Sequence, residues 1–398
     1  MIQGQAIERV NHMPHPTAGN GLSATILDAA GIAALDPAAW DRLARGSLVS
    51  NPFYGRQYIM AGLDTIDADG GLRALAFTCP DAGLVGLFFF RWIGAGPLAM
   101  IRSAGNCYQV NAAPLVAASH APRVVSAFVD RLCNDPSLLR AWSMPNIDMS
   151  SPFAALLSDA CRQAGVVLEE LRRYERPVLR PMPGGFDRHV ETVLSRSRLK
   201  DIRRNLRRLG QAGAVRFERA RAPELVSRRV EDFLRIEHTG WKGERGTSFL
   251  SRDDHAAFAR AAFSSGSTPE GAAVIDSLLL DEVPIAVSIN IVDGQNVVTP
   301  KCAYDERYRK YGPGMLLEYL VIEAFHQEER WTLMDSATTI DDHVIGGFWN
   351  DTVPMADIAL APDTLFGRSA LAANRAGLLA QSIAVSMRNK LRQQGMPI

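Results

Sequence analysis

The 398-residue sequence lacks a net charge, because 43 Lys and Arg residues balance 43 Asp and Glu residues. A protein without an overall positive field has no general attraction for polyanions, which argues against a dedicated nucleic-acid-binding protein. Any anion site must therefore be a local cluster of basic residues. The hydrophobic share of 47% and the charged share of 22% are typical of a folded protein, and the length predicts two domains.

Cysteine is scarce, and its spacing excludes two common kinds of framework. No C-x-x-C pair occurs, which argues against a zinc site and against a disulfide scaffold. The composition fits a reducing, cytoplasmic compartment, and no metal is expected. One cysteine, Cys302, falls on a predicted strand and is expected to be a small packed residue. The five cysteines are Cys79, Cys107, Cys133, Cys161 and Cys302.

The sequence also lacks an unbroken apolar run of membrane-spanning length. The nearest candidate, Leu84–Ile101, contains Arg91 and is broken by two glycines and Pro97, so it predicts a buried strand–turn–strand. A loop that dips into a membrane is the alternative. Residues 1–20 are polar, without an apolar core behind a basic start, and predict a mobile leader rather than a secretory signal.

The order of predicted elements divides the chain into two α/β segments. Short apolar runs joined by turns alternate with helices through residues 21–180. A stretch rich in proline and glycine, Arg176–Asp187, predicts a linker. A second α/β segment follows at residues 190–362, and residues 363–398 predict a helical tail. The predicted fold class is therefore mixed α/β (α+β), and both segments are compatible with one repeated fold.

The sharpest functional signal is the motif R-x-x-G-x-G, which spans Arg309–Gly314. It follows a predicted strand, Val297–Tyr304, and opens a predicted helix, Met315–Gln327. Two glycines allow backbone N–H groups to converge on a diphosphate at the positive end of a helix. A plain Gly-Pro-Gly turn is the alternative. The predicted cofactor-binding residues are Arg309, Lys310, Tyr311, Gly312, Gly314 and Met315.

A basic amphipathic helix is predicted before this motif, at Leu194–Leu209. Its apolar residues share one face, and seven cations occupy the other. A solvated surface is the common explanation for such a run of charge. The alternatives are binding of a phosphate, of an anionic membrane surface or of RNA. The seven cations are Arg196, Arg198, Lys200, Arg203, Arg204, Arg207 and Arg208.

The order of strands, glycine loop and helix resembles the acyl-CoA-binding core of the GNAT superfamily. More narrowly, the chain resembles the double-GNAT acyltransferases related to the Fem peptidoglycan-bridge enzymes and the CelD-type cellulose-biosynthesis proteins. The resemblance implies two tandem GNAT-like domains, the first degenerate and the second holding acyl-CoA. It is carried by SRLKDIRRNLRRL, IEHTGWKGERGT, LLLDEVPIAVSINIVDG and KCAYDERYRKYGPGMLLEYLVIEAF, and in the first half by NPFYGRQYIMAG, LVGLFFF and Tyr108.

By this resemblance, the protein is expected to move an acyl group from acyl-CoA to an amine. The thioester would lie in a gap between the strand Val297–Tyr304 and a predicted strand at Trp331–Ser336, where a backbone N–H polarises its carbonyl. The acceptor would be a small molecule, a lipid or an envelope-glycan precursor, with a long-chain acyl donor as one version. The alternatives are an aminoacyl-tRNA-dependent Fem-like transferase and a non-catalytic scaffold of envelope polysaccharide synthesis.

Attack of an amine on a thioester needs a base and often a proton donor for the leaving thiolate. Asp335, at a predicted strand end, is a candidate base, with a turn cap as the structural alternative. His343 is a second candidate base, and Tyr304 is a candidate donor to the thiolate. The polar-aromatic segment EHTGWKGERG predicts either an acceptor pocket or a structural anchor. Its candidate substrate-binding residues are Glu237, Trp241 and Lys242.

Overall fold

The computed structural model describes residues 15–16, 21–94, 100–103, 106–135, 138, 141–264, 272–340, 343–373 and 375–376. The predicted leader, apart from 15–16, and most of the predicted tail lie outside the described residues, while residues 365–373 are helical. The first segment contains β1 (His15–Pro16), β2 (Ser23–Leu27), α1 (Ala29–Ala33), α2 (Pro37–Arg45), α3 (Arg56–Leu63), β3 (Arg73–Cys79), β4 (Gly83–Ile93), β5 (Met100–Arg102), β6 (Leu115–Val116), α4 (Ala121–Asn134), β7 (Trp142–Asp148), α5 (Pro152–Ala164) and β8 (Val166–Leu179).

The second segment begins with two helices and then repeats an α/β order. The predicted strand Val297–Tyr304 is close to the observed β12, because the local pattern of apolar residues and turns is strong there, while the predicted strand Trp331–Ser336 is reduced to Leu333–Asp335. The elements are α6 (Gly185–Thr192), α7 (Arg196–Gly210), β9 (Val215–Ala220), α8 (Pro223–Thr239), α9 (Trp241–Glu244), α10 (Asp253–Ala262), β10 (Ala273–Leu280), β11 (Val283–Asp293), β12 (Asn296–Tyr304), α11 (Pro313–Gln327), β13 (Leu333–Asp335) and β14 (Asp351–Pro362).

One mixed sheet connects the described strands of both segments. Their order is β1-β2-β3-β4-β5-β7-β14-β8-β13-β12-β11-β10-β9, and β6 pairs with β4 outside this row. Each segment has an antiparallel meander followed by a parallel pair, β5 with β7 in the first and β12 with β13 in the second. The predicted mixed α/β class is confirmed.

The strand β4 supplies two cores from alternate residues. Phe88 stacks on Phe128 of α4 with ring centroids 4.4 Å apart, while Phe89 stacks on Trp40 of α2 at 5.6 Å. Successive side chains of a strand point to opposite faces, so the phenylalanine run is buried under helices on both sides. The predicted strand–turn–strand is confirmed by the antiparallel pairing of β4 with β5, and residues 95–99 lie outside the described part. No described helix is long and apolar enough to cross a membrane.

The strand β14 joins the two segments. It pairs with β8 from Asp351 to Pro362 and with β7 from Met355 to Leu360. Its side chains Ala356, Ile358 and Leu360 belong to the apolar core of the first segment, next to α4 and α5. The second segment therefore completes the sheet and the core of the first.

The predicted linker Arg176–Asp187 is wrong at its beginning, because β8 continues through Pro177 to Leu179. Pro177 has no N–H to donate, but its carbonyl accepts a hydrogen bond from Ser336 N at 3.3 Å. The Arg176 side chain is 1% exposed and donates to Thr338 O at 2.8 Å and Val110 O at 2.7 Å. These partners, which are remote in the sequence, stabilise a strand that could not be predicted from the local proline pattern.

Candidate active site

The strands β12 and β13 diverge after a short parallel pairing. They pair from Asn296 with Leu333 to Val298 with Asp335, where β13 ends, and β12 continues to Tyr304. The register with β11 also shifts here, because Ile289 lies opposite Lys301 while Ile291 lies opposite Val298. One extra residue in β12 makes a bulge, and a bulge bends its strand. Residues 299–304 thus border a gap that β13 does not fill.

A row of buried polar side chains fixes this bulge. Arg219 of β9 pairs with Asp276 of β10 (Nε–Oδ1 2.7 Å), and Asn290 of β11 donates to Asp276 Oδ2 at 2.9 Å. Thr299, inside the bulge, donates to Asn290 Oδ1 at 2.9 Å. Because Asp276 and Asn290 are fully buried, the loss of any hydrogen bond in this row would lower the free energy of unfolding. The row therefore holds the start of the gap in place across four strands.

The glycine motif forms a turn that leads directly into α11. Glu306–Tyr311 is a 3₁₀ turn, Gly312 has a φ of 62°, and Pro313 is the first residue of the helix. A left-handed residue before a helix favours glycine, and the fixed φ of proline suits the first helical position. The helix begins two residues earlier than predicted for this reason.

The start of α11 presents unused backbone donors. Leu316 N donates to Gly312 O at 3.1 Å and closes the first helical turn, so the N–H groups of Gly314 and Met315 have no acceptor within the helix. Arg309 and Lys310 are exposed in the preceding turn. The positive end of the helix, two open N–H groups and two cations form the kind of site that binds a phosphate or diphosphate.

The basic helix α7 lies against this loop. The Arg208 guanidinium lies 5.7 Å from the centre of the Tyr311 ring, and the Asn205 side chain approaches Gly312. A groove of about 290 Å³ separates α7 from the start of α11. Its lining residues are Ser195, Ser197, Arg198, Asp201, Ile202, Asn205, Met315 and Leu316.

Asn205 is the unusual residue of this groove. It is 9% exposed, and its Oδ1 atom has no hydrogen-bond partner among the described residues. A buried amide without a partner is destabilising by about 1–3 kcal/mol. Oxygen and nitrogen of an amide are assigned from their surroundings, so the unpaired end serves as an acceptor or as a donor. The groove thus contains a polar group that a ligand could satisfy.

Several cations of α7 are already engaged in contacts with neighbouring elements. Arg198 donates to Gly347 O and packs on Phe348, and Arg204 pairs with Asp201 at 2.9 Å. In the described part of the chain, Arg196, Lys200 and Arg207 have no ion pair, side-chain hydrogen bond or ring contact, whereas Arg203 bonds Tyr319 and Arg208 lies over Tyr311. This helix is therefore partly a structural partner of the loop and partly a charged surface.

The predicted acceptor-pocket residues lie together beside Tyr304. Glu237 accepts from Lys242 Nζ at 2.7 Å and from Phe249 N at 3.0 Å, while Trp241 is 48% exposed. These residues and the end of β12 enclose a cavity of about 120 Å³. It is lined by Ile236, Glu237, Gly240, Trp241, Lys242, Cys302, Ala303, Tyr304 and Glu306.

Cys302 is not simply a packed residue, because it lines this cavity. Its side chain is exposed to the cavity, while the protein atoms around the thiol and the nearby Glu318 carboxylate raise the pKa of the thiol. The thiol therefore stays protonated at neutral pH. A protonated thiol is a poor nucleophile, which disfavours a covalent acyl-cysteine intermediate.

Sequence analysis did not identify Glu318, which lies one turn into α11. Its Oε1 accepts from Trp349 Nε1 at 2.5 Å, and Cys302 of β12 faces it. Burial raises the pKa of the carboxyl group to about 7, the Trp349 hydrogen bond opposes this, and Asp276 adds to it. No cation among the described residues pairs with it. The only signal in the sequence is its position four residues after Gly314, on the same face of the helix.

Sequence analysis also missed Lys301, on the opposite face of β12 from Cys302. Its Nζ lies 4.7 Å from the Tyr108 ring and 5.1 Å from the Phe249 ring. Burial lowers the pKa of this amine, and the charge of Lys242 lowers it further. In the described part of the chain it has no carboxylate partner. Tyr108 comes from the first segment, and its hydroxyl lies 2.5 Å from His255 Nδ1, so both segments contribute to this environment.

Asp335 and His343 are engaged away from the cavity beside Tyr304. Asp335 Oδ1 accepts from Ala337 N at 2.7 Å, and Oδ2 pairs with the buried Arg176 at 3.3 Å. His343 Nδ1 accepts from Ile345 N at 3.3 Å at the start of a 3₁₀ turn, and burial lowers the pKa of its ring. Asp335 thus fits its structural alternative, a turn cap, and the half-buried His343 also caps a turn, where a solvated loop histidine was the alternative. Within the described residues, no group of three or more His, Cys, Asp or Glu side chains could hold a metal ion.

Comparisons with known proteins agree with this geometry at the level of the fold. Residues 196–338 match the family model described as an acetyltransferase (GNAT) domain. No curated protein sequence matches the chain. The structure is similar to that of FemX, with a TM-score of 0.52 and 12% identity over 82% of this chain and 96% of that one.

Two further solved structures show the same likeness. The C-terminal domain of a putative lysylphosphatidylglycerol synthetase from Agrobacterium fabrum gives a TM-score of 0.51 and 12% identity, over 86% of this chain and 95% of that one. A conserved protein of unknown function from Bacteroides thetaiotaomicron gives a TM-score of 0.51 and 10% identity, over 82% of this chain and 98% of that one. At such identities the likeness establishes the fold. The chain therefore has a GNAT-like fold, in which residues 196–338 match a GNAT-type acetyltransferase domain.

Proposed function

We propose that this protein transfers an acyl group from an acyl-CoA thioester to an amine of a small or amphiphilic acceptor. The observation that carries the proposal is the start of α11, where two open N–H groups follow the turn that exposes the cations Arg309 and Lys310. A diphosphate satisfies such donors, and the unpaired amide of Asn205 gives the adjoining groove a further polar contact.

The acceptor would bind on the side of β12 that carries the cavity beside Tyr304. About 120 Å³ is enough for the amine-bearing end of a molecule, and the half-exposed Trp241 would contact the remainder outside. This arrangement supports an acceptor such as a lipid or an envelope-glycan precursor. We assign Lys301 as the proton acceptor for the attacking amine, because Lys242 and Glu237 of this cavity lie close enough to act on its charge and because burial lowers the pKa of its amine.

The experiment that tests the donor is isothermal titration of the purified chain with CoA, acetyl-CoA and palmitoyl-CoA. The control is the double variant Arg309→Ala/Gly312→Val, checked for folding by circular dichroism. Saturable binding that the variant loses supports the proposal. A folded wild-type protein that binds none of the three would refute it, and a preference for palmitoyl-CoA would indicate a long-chain donor.

One alternative is a transferase with the same fold that uses a different acyl donor. The unpaired cations Arg196, Lys200 and Arg207 on α7 favour a Fem-like transferase that uses aminoacyl-tRNA. That rival predicts tRNA binding that weakens steeply with salt, without affinity for CoA. A non-catalytic scaffold is the other alternative, and cells would then tolerate bulky replacements of Gly312 and Gly314.

A further inference from the structure

The outward face of α7 carries a row of basic side chains that the proposed function does not use. Arg196, Lys200, Arg203 and Arg207 follow one another at spacings of four, three and four residues. They therefore lie within about 60° of the helix circumference and extend over about 16 Å of its length. All four side chains are exposed, and none of them lines the groove between α7 and α11. We call these four residues the basic row.

The positive charge of the basic row is available to an external partner. Three of its members have no ion pair among the described residues, and Arg203 bonds the uncharged hydroxyl of Tyr319. Asp201 is the single acid of α7, and it pairs with Arg204 at 2.9 Å. The basic row is thus a concentrated positive surface on a chain whose net charge is zero.

We infer that the basic row docks the protein onto an anionic phospholipid surface. Each Lys or Arg near such a surface strengthens binding roughly fivefold, and clusters of about four to eight on one helix are typical of proteins that bind anionic lipids. Because the row is straight and lies on the outside of a helix, all four cations can reach a flat surface together. The inference goes beyond the proposed function and does not require a thioester.

The aromatic rings beside α7 favour a bilayer over RNA as the partner. Proteins that bind single-stranded RNA commonly stack its bases on open aromatic faces. Here the Tyr311 ring already lies under the Arg208 guanidinium. Tyr319 packs edge-to-face against Phe186, with ring centroids 5.1 Å apart. Neither tyrosine therefore offers a free face to a base.

An exposed apolar side chain near the start of α7 also favours a bilayer. Val344 is 58% exposed in a turn that Arg198 of α7 contacts through the carbonyl oxygen of Gly347. Peripheral binding is stronger when an apolar contact accompanies the attraction between charges. Docking by the basic row would also bring the groove between α7 and α11 close to the bilayer, because Ser197 and Asp201 line it on the adjoining side of the helix.

The test is co-sedimentation of the full chain with lipid vesicles. One set of vesicles contains phosphatidylcholine alone, and the other contains equal amounts of phosphatidylcholine and phosphatidylglycerol. The test variant is Arg196→Gln/Lys200→Gln/Arg207→Gln, in which glutamine keeps the helix propensity of the residues that it replaces. The control variant has the same change in net charge at exposed positions of other elements, and circular dichroism checks the fold of both variants. The control is Arg162→Gln/Arg173→Gln/Arg228→Gln.

We expect the wild type and the control variant to bind the vesicles that contain phosphatidylglycerol and not those of phosphatidylcholine. Binding should weaken as NaCl rises from about 0.1 M to about 0.5 M, because salt screens the charges. The test variant should bind about a hundredfold more weakly, since it lacks three cations that each contribute roughly fivefold.

Three results would overturn the inference, and none of them depends on CoA. The first is a wild-type protein that does not bind the anionic vesicles. The second is equal binding by the test and control variants, which would attribute the attraction to net charge or to another surface. The third is binding of tRNA that the test variant loses, in a wild type that ignores vesicles, which would assign the basic row to RNA.

Discussion

At the scale of single residues, Gly312 and Gly294 share a left-handed backbone but differ in their surroundings. Their φ angles are 62° and 61°, and Gly294 lies in the hairpin turn between β11 and β12. We expect alanine at either position to lower the free energy of unfolding by about 1–2 kcal/mol, because both residues then strain the backbone. Only Gly312→Ala should also weaken CoA binding. Urea denaturation and titration calorimetry check this, and equal affinities would exclude the loop as the donor site.

We expect the buried amine of Lys301 to lower the free energy of unfolding. Its pKa is lowered in the folded state, so the unfolded chain binds more protons between that folded value and the ordinary value of 10.5. The free energy of unfolding therefore rises with pH across that window. Below the window, the full destabilisation that the buried Lys301 causes is present. Lys301→Met is expected to raise the free energy of unfolding at pH 7, with a gain that fades toward pH 10.5.

The measurement for Lys301 is a series of urea denaturation curves between pH 6 and 10. Lys200→Met, at an exposed position on α7, should show no pH-dependent gain. A loss of stability for Lys301→Met at pH 7 would mean that the ammonium group is held by favourable contacts with the two rings.

At the scale of elements, the packing of α7 on α11 depends on apolar contacts rather than on Asn205. Replacing this unpaired amide by leucine, which has a similar size, should leave the free energy of unfolding unchanged or raise it by about 1 kcal/mol. The same change should weaken acyl-CoA binding about tenfold if the amide contacts the donor. Thermal unfolding and calorimetry of Asn205→Leu decide the matter, and a large loss of stability would show that the amide is already satisfied in the fold.

Elements with a strong local pattern could be predicted from the sequence, and those fixed by distant partners could not. The repeat of apolar residues and turns predicted β12 and α11 to within two residues. The same reasoning mistook the end of β8 for a linker, because the partners of Arg176 lie on other strands and loops. Glu318 and Lys301 were missed for a related reason: burial shifts the pKa of both groups, and neighbours that are remote in the sequence, such as Trp349 and Tyr108, surround them.

At the scale of the whole molecule, Arg176 connects parts of both segments through its bonds to Val110, Thr338 and Asp335. Because the sheet is continuous, we expect one cooperative unfolding transition, with coincident curves by circular dichroism and tryptophan fluorescence. Arg176→Met should lower the free energy of unfolding by about 3 kcal/mol, since it leaves a carboxylate and buried carbonyls unpaired.

Arg173 on the same strand provides the control, because its side chain is 61% exposed. Arg173→Met should change the free energy of unfolding by about 0.5 kcal/mol or less. Two separated transitions in the wild-type protein would show that the segments unfold independently and that the shared sheet contributes little to cooperativity.

The position of β14 also determines when the chain can fold during its synthesis. A ribosome makes β7 and β8 long before residues 351–362, so these two strands leave the exit tunnel without the neighbour that separates them in the finished sheet. Until that neighbour arrives, both strands present open edges, which other chains can pair with. The first segment thus cannot mature while the second is still being translated, and this interval is when a nascent-chain chaperone would matter most to the protein.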